Sequence, residues 1–192
     1  NKWELSDMMK FAVNYDGPIA LRYPRGEAYD GLQEFRAPIA YGRSEWIYEE
    51  ADIALMAVGS MVKTAEQVRD ALKDTGYNCT LINARFVKPI DEQMLEEVAK
   101  QHKLLVTLEE NVRNGGFGDH VLEYVNDRDC DMKVLNIALP DEYVEHGNVS
   151  VLREGLGIDS DSVIRTMRNA WKPLDERLSE AQSHEIMQEN QK

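Results

Sequence analysis

The chain has 192 residues, with 22 lysines and arginines against 35 aspartates and glutamates, a formal charge of −13 with histidines neutral. That balance argues against nucleic acid, whose phosphate backbone needs a basic face; the 43% of hydrophobic residues argues against bulk disorder, and the longest apolar stretches, 53–58 and 104–108, fall far short of the roughly 20 residues that cross a bilayer. Cys79 and Cys130 form neither a disulfide framework nor a metal-ligand spacing, and with no signal-peptide pattern they fit structural roles in a reducing cytoplasm.

Asn1 stands where an initiator methionine is expected and leads straight into Trp3–Val13, whose Leu5, Met8, Met9 and Ala12 recur at helical spacing. After the Asp16-Gly17 turn, Pro18–Tyr23 predicts a short strand ended by Pro24 and Gly26. One helix and one strand cannot enclose a core. Residues 1–26 are therefore expected to end a domain whose remainder lies upstream, and residues 27–38, which carry Gly31, to be a polar linker. From Ile39 the pattern alternates. Residues 39–44 and 46–48 suggest a hairpin or an edge strand, and Ile53–Val58, ending at Gly59-Ser60, is an apolar run of the kind covered on both faces. Val62–Lys73 predicts a crossover helix that stops at Gly76. Cys79–Asn83 is the next strand, and Pro89 opens a helix with Asp91 and Glu92 in its first turn and Met94, Leu95 and Val98 inward. Leu104–Leu108 is a strand, Asp119–Asn126 a helix and Val134–Ile137 a strand. Four buried strands with helices between them predict an α/β fold: a three-layer sandwich around a mostly parallel sheet of about five strands, joined by right-handed βαβ units. Ser150–Leu156 and Asp161–Trp171 read as short helices, and residues 172–192 as a polar tail, frayed or a lone helix.

Four features carry chemistry. Arg25, in Arg22-Tyr23-Pro24-Arg25-Gly26, follows a strand end, where ligands of open α/β sheets gather, and its planar fork suits a phosphate; the competing reading is a surface salt bridge. Arg22 is expected to pair with a structural carboxylate. The turn Asn114-Gly115-Gly116-Phe117-Gly118 reads first as a tight strand-to-helix connection and second as an anion cradle, although it lacks the spacing of a dinucleotide fingerprint and Asp119 would compete with an anion. Glu109 and Glu110, neighbours on a strand, point to opposite faces, too far apart in direction to share a proton, so contacts with another domain or subunit are expected, with Arg85 able to neutralise one of them. His102, His120 and His146 lie near neither a cysteine nor a second histidine at ligand spacing, so no metal site is expected, and nothing supplies a nucleophile, base and orienting group as a unit.

These segments, in this order, resemble the C-terminal third of the 1-deoxy-D-xylulose-5-phosphate synthase family, thiamine-diphosphate enzymes of the transketolase superfamily. The resemblance rests on Asp16-Gly17-Pro18 with Arg22–Gly26, Asn83–Asp91, Val106–Asn111 with Gly115–Gly118, and Leu139-Pro140-Asp141 with His146-Gly147. It implies that residues 1–26 are the C-terminal remnant of a pyrimidine-binding domain and residues 39–171 a transketolase C-terminal domain. It further implies a homodimeric, cytoplasmic parent enzyme that joins pyruvate to glyceraldehyde 3-phosphate with loss of carbon dioxide. In the family, thiamine diphosphate, Mg²⁺ and the activating glutamate belong to parts that would precede Asn1. Neither thiamine diphosphate nor Mg²⁺ is expected to bind this piece, which would be inactive alone. The one functional residue that carries over is Arg25, which resembles a ligand of the substrate phosphate. The tail after Trp171 departs from the family. The alternative is a free-standing noncatalytic module that binds a partner subunit or an anionic regulator.

Overall fold

The computed structural model describes residues 1–189. In chain order the elements are α1 (Lys2–Asn14), β1 (Glu45–Tyr48), β2 (Ile53–Ala57), α2 (Met61–Asp74), β3 (Cys79–Asn83), α3 (Glu92–Gln101), β4 (Leu104–Val112), α4 (Phe117–Asp127), β5 (Lys133–Leu139), α5 (Val149–Gly155), α6 (Ser160–Ala170) and α7 (Lys172–Glu189). The sheet runs β1-β3-β2-β4-β5, parallel except for β1, which pairs antiparallel with β3 at the edge.

The continuous apolar runs take the central positions because every residue of β2 and β3 is buried. β2 pairs Ile53 with Cys79 on one side and Ala54 with Leu105 on the other. Alternation along β2 sends Ile53, Leu55 and Ala57 into a core with Val68 and Leu72 of α2, Val163 and Met167 of α6, and Leu174 of α7. Ala54 and Met56 face Leu95 and Val98 of α3 with Phe117 and Val121 of α4. Three layers result. Because the chain leaves β2 toward β3 and later crosses to β4 on β2's other side, the connections diverge between β2 and β4, the switch point where ligands of such sheets collect.

Several expectations need correction. Residues 18–23 form no strand: nothing in the described chain lies alongside to pair with them, and all but Leu21 are exposed. Residues 39–44 form a turn rather than a hairpin arm, with Ser44 N donating to Asp91 at 2.7 Å. Asp91 is the N-cap of α3, accepting from Met94 N, so that Pro89 sits before the helix and not inside it. Residues 27–38, expected as a polar linker, are packed onto the domain. Leu32 enters the core with Tyr29 and Phe35 packed against it. The expected polar tail is a docked helix in its first half, where Leu174 is fully buried and Arg177 Nη2 donates to Gly76 O at 2.6 Å; its residues 190–192 lie outside the described residues. Among the described residues no helix is long and apolar enough to cross a membrane. Cys79 is buried, and that burial, helped by Asp52, pushes its thiol up to about 12, which keeps it protonated and inert.

Asp159 caps α6 by accepting from the amides of Asp161 and Ser162, each at 3.1 Å. Burial pulls its carboxyl upward, but the bonds to Ser162 and to local amides together hold it below the ordinary carboxylate range. A depressed folded value stabilises the native state above the unfolded pKa and loses that contribution as pH falls through the folded one. Asp159→Ala should therefore cost about 1 kcal/mol at neutral pH, and the gap to the parent chain should close only below roughly pH 4. Urea midpoints of both chains, followed from neutral pH into acid, check this; a gap that persists unchanged in strong acid would assign the loss to packing.

Candidate functional site

The carboxyl edge of the sheet is where this fold offers a site, and the chain fills it with its own acids. β4 continues past its apolar run through Glu109 and Glu110, whose side chains leave on opposite faces as strand geometry requires. Glu109, 2% exposed, accepts from Phe117 N at 2.9 Å and Gly118 N at 2.8 Å, so it occupies the N-terminus of α4. On the other face Glu110 accepts from Arg153 Nε of α5 at 2.8 Å and from the hydroxyl of Ser60, the residue before α2. Both carboxylates sit where unsatisfied amides and helix dipoles favour negative charge. The glycine-rich turn is thus a tight connection, and its anion site is taken from within. A Cβ on Gly118 would lie 2.5 Å from Thr107 Oγ1, and one on Gly116 would strike the Val112 carbonyl, so glycine is what lets α4 close over Glu109. Asp119 accepts from Gly115 N at 3.0 Å, completing the turn. Within the chain, both carboxylates thus already have partners, and the expected contacts with another domain or subunit are not what positions them.

Arg85 does not neutralise either of them. Its side chain, 3% exposed, donates from Nε to Glu4 Oε1 at 2.8 Å and from Nη2 to Glu45 Oε2 at 2.5 Å and Ala37 O at 3.2 Å. Asn83 Nδ2 adds a bond to Glu4 Oε1 at 2.7 Å. The guanidinium therefore joins α1, the segment before β1, and β1 itself at the carboxyl end of β3. Sequence spacing could not find these partners, which lie 81 and 40 residues away.

Arg25 and Arg22 are exposed and, among the described residues, make no hydrogen bond or ion pair; the expected structural partner of Arg22 is absent from that set. Arg25 is thus brought together with no other donor of an anion site. His102 is buried between Thr80 Oγ1 and Val98 O, at 3.0 and 3.2 Å, a packing role. His120 borders an open cleft of about 360 Å³ with Lys88, Pro89, Tyr124 and Asp127. Among the described residues no three His, Cys, Asp or Glu side chains gather to hold a metal ion.

A diphosphate with its Mg²⁺ needs oxygen donors for the metal and free amides or cations for the phosphates. The residues at the sheet's carboxyl edge do not fit that group: Glu109 and Glu110 already engage the helix starts there, and their charge would repel a phosphate.

Residues 42–163 match the family described as the C-terminal domain of transketolase. The chain is similar to the 1-deoxy-D-xylulose-5-phosphate synthase of Lachnoclostridium phytofermentans, with 47% identity over 165 residues, and to that of Heliobacterium modesticaldum, with 41% over 166. These alignments take in 85% and 86% of this chain and 26% of each relative, so the chain spans about a quarter of the length of the curated relatives it matches. Among solved structures it is similar to a split-gene transketolase in an inactive beta4 tetramer, at a TM-score of 0.79 and 24% identity over 86% of this chain and 54% of that one. It is also similar to the transketolase of Campylobacter jejuni, at a TM-score of 0.50 and 12% identity over 67% of this chain and 18% of that one. Both structural likenesses speak for the fold alone.

Proposed function

The chain belongs to the transketolase C-terminal domain family, and from that membership we propose that it is the C-terminal part of a thiamine-diphosphate-dependent 1-deoxy-D-xylulose-5-phosphate synthase. The observation that carries the reading is 47% identity, over 85% of this chain, to a relative of that name. In this reading the complete enzyme is a cytoplasmic homodimer that condenses pyruvate with glyceraldehyde 3-phosphate, releases carbon dioxide and supplies precursors of isoprenoids, thiamine and pyridoxal. Residues 1–26 close its pyrimidine-binding domain, residues 27–38 connect, and residues 39–171 form its C-terminal domain. Arg25 holds the phosphate of the acceptor aldehyde. Thiamine diphosphate and Mg²⁺ bind in the upstream parts, and the 192 residues contribute no catalytic group.

Supporting this division of labour, the sheet's carboxyl edge is closed by Glu109, Glu110, Ser60 and Arg153, leaving the domain a scaffold. Two measurements test the reading. Joined to upstream sequence of the kind its relatives possess, the protein should convert pyruvate and glyceraldehyde 3-phosphate to the deoxyxylulose phosphate. The isolated chain should show neither turnover nor Mg²⁺-dependent heat of thiamine diphosphate binding in calorimetry. Tight cofactor binding by the isolated chain, or a complete protein that ignores glyceraldehyde 3-phosphate, would overturn it.

A further inference from the structure

α1 is held to the rest of the molecule at two ends by different chemistry. Its amino-terminal end is held by polar bonds: Lys2 N donates to Tyr29 O at 3.0 Å and Asn1 Nδ2 to Gly31 O and Leu32 O at 3.1 Å, Glu4 meets the buried Arg85 guanidinium at 2.8 Å and the Asn83 amide at 2.7 Å, and Asp7 takes Arg36 Nη2 at 2.6 Å from the segment before β1. The other end is held by rings: Phe11 meets Phe86 edge-on at 5.9 Å, and Tyr15 stacks on Tyr41 at 5.2 Å between ring centres. Stacked rings tolerate tilt about their contact. A planar guanidinium gripping three elements does not, because its donors are fixed in direction.

The backbone points the same way. Arg85 sits at φ +57°, in the left-handed region that disfavours residues with a Cβ, and such a conformation persists only where its surroundings over-determine it. Here the bonds are Arg85 N to Asn83 Oδ1 at 3.2 Å and the side-chain bonds to Glu4, Glu45 and Ala37 O. Two carboxylates face one guanidinium, and neutral donors meet the surplus negative charge: Asn83 Nδ2 on Glu4, and Ala37 N on Glu45 Oε1 at 2.7 Å. The cluster thus ties the end of β3 to α1, to the segment before β1 and to β1 itself.

We propose that Arg85 is a positioning residue that sets the angle of α1 on the C-terminal domain, with the aromatic cluster as the pivot, and so places the exposed segment carrying Arg25. The consequence for substrate rests on the function proposed above; the mechanical part does not. Residues 15–26 leave α1 beside the ring pivot, so a tilt of the helix turns the direction in which the chain sets out toward Arg25.

Hydrogen exchange on the 192-residue chain tests the mechanical part. In Arg85→Met, and separately in Glu4→Gln, which leaves the C-terminal domain untouched, amides 6–14 should exchange at least about tenfold faster, the loss expected for one charge-assisted bond. Amides of β2, β3 and β4 should be unchanged. Arg85→Lys should restore part of the protection. Unchanged α1 exchange in Glu4→Gln, or acceleration spread evenly over the sheet, would overturn the proposal. In the complete enzyme Arg85→Met should raise the KM for glyceraldehyde 3-phosphate about tenfold with kcat little altered, and the effect should vanish in an Arg25→Ala background. Full additivity of the two substitutions would overturn the link to Arg25. If Arg25→Ala alone leaves the KM unchanged, the assignment of Arg25 fails, while the exchange result still decides the role of Arg85.

Discussion

Glu109→Ala should lower the unfolding free energy of the chain by about 2–4 kcal/mol, the largest stability loss expected from any polar residue at the carboxyl edge of the sheet. The side chain is 2% exposed and accepts two bonds from the first turn of α4, at 2.9 and 2.8 Å. Charge-assisted bonds contribute roughly 1.5–3 kcal/mol each, and the desolvation of a buried carboxylate offsets part of the sum. Removing the acid also leaves Phe117 N and Gly118 N buried without an acceptor. Water cannot easily reach them, since Phe117 is 1% exposed. Glu109→Gln, which keeps one neutral acceptor oxygen, should lose about half as much. Glu110→Ala should cost no more than about 1 kcal/mol, because its carboxylate is 27% exposed and its partner Arg153 25%. In a chain of this size the first substitution corresponds to a fall in melting temperature of roughly 5–15 °C. Thermal unfolding of the three variants checks the ranking; equal losses at 109 and 110 would mean that the helix-start bonds are not what stabilises this edge.

On the function proposed above, the second large effect is on catalysis by the complete enzyme. Arg25→Ala should raise the KM for glyceraldehyde 3-phosphate by about ten- to a hundredfold, equivalent to roughly 1.4–2.7 kcal/mol, with the KM for pyruvate changing much less. In the present structure the guanidinium is exposed and unpaired among the described residues. A lone exposed cation contributes only about 0–1 kcal/mol to an ion pair, whereas a charge-assisted bond in a closed site contributes roughly 1.5–3 kcal/mol. On that proposal the difference comes from donors outside these 192 residues. Lysine, a point charge without the planar fork, should recover only part of the loss. Steady-state kinetics with each substrate varied separately decide it. Equal effects on both substrates would make Arg25 a support of the fold, and no effect would remove it from the site.

What could be read from the sequence follows from what leaves a local trace. The strands from Ile53 to Ile137 and the helices between them were legible because a buried parallel strand must be apolar throughout and a crossover helix apolar on one stripe. β4 reads short because its last residues are polar. Glu109 and Glu110 look like the end of a strand, yet their polarity serves the two helix starts they meet. Residues 18–23 have a strand's composition but no neighbour, and pairing is a property of two segments. Leu174 and Leu178, one helical turn apart in a polar stretch, carry too faint a periodicity to announce a docked helix. The partners of Arg85 could not be read at all, because nothing local relates residue 85 to residue 4.

The docking of α7 also bears on the order in which the molecule can be completed. Leu174 and Leu178 join a core otherwise built from residues 29–171, with Arg177 lying 4.7 Å over the Tyr77 ring and bonded to Gly76 O at 2.6 Å. On a ribosome adding about 5–20 residues each second, the sheet and its crossover helices emerge seconds before these leucines clear the exit. Until they do, the flank of the apolar layer beside Tyr77 stays open to solvent during synthesis.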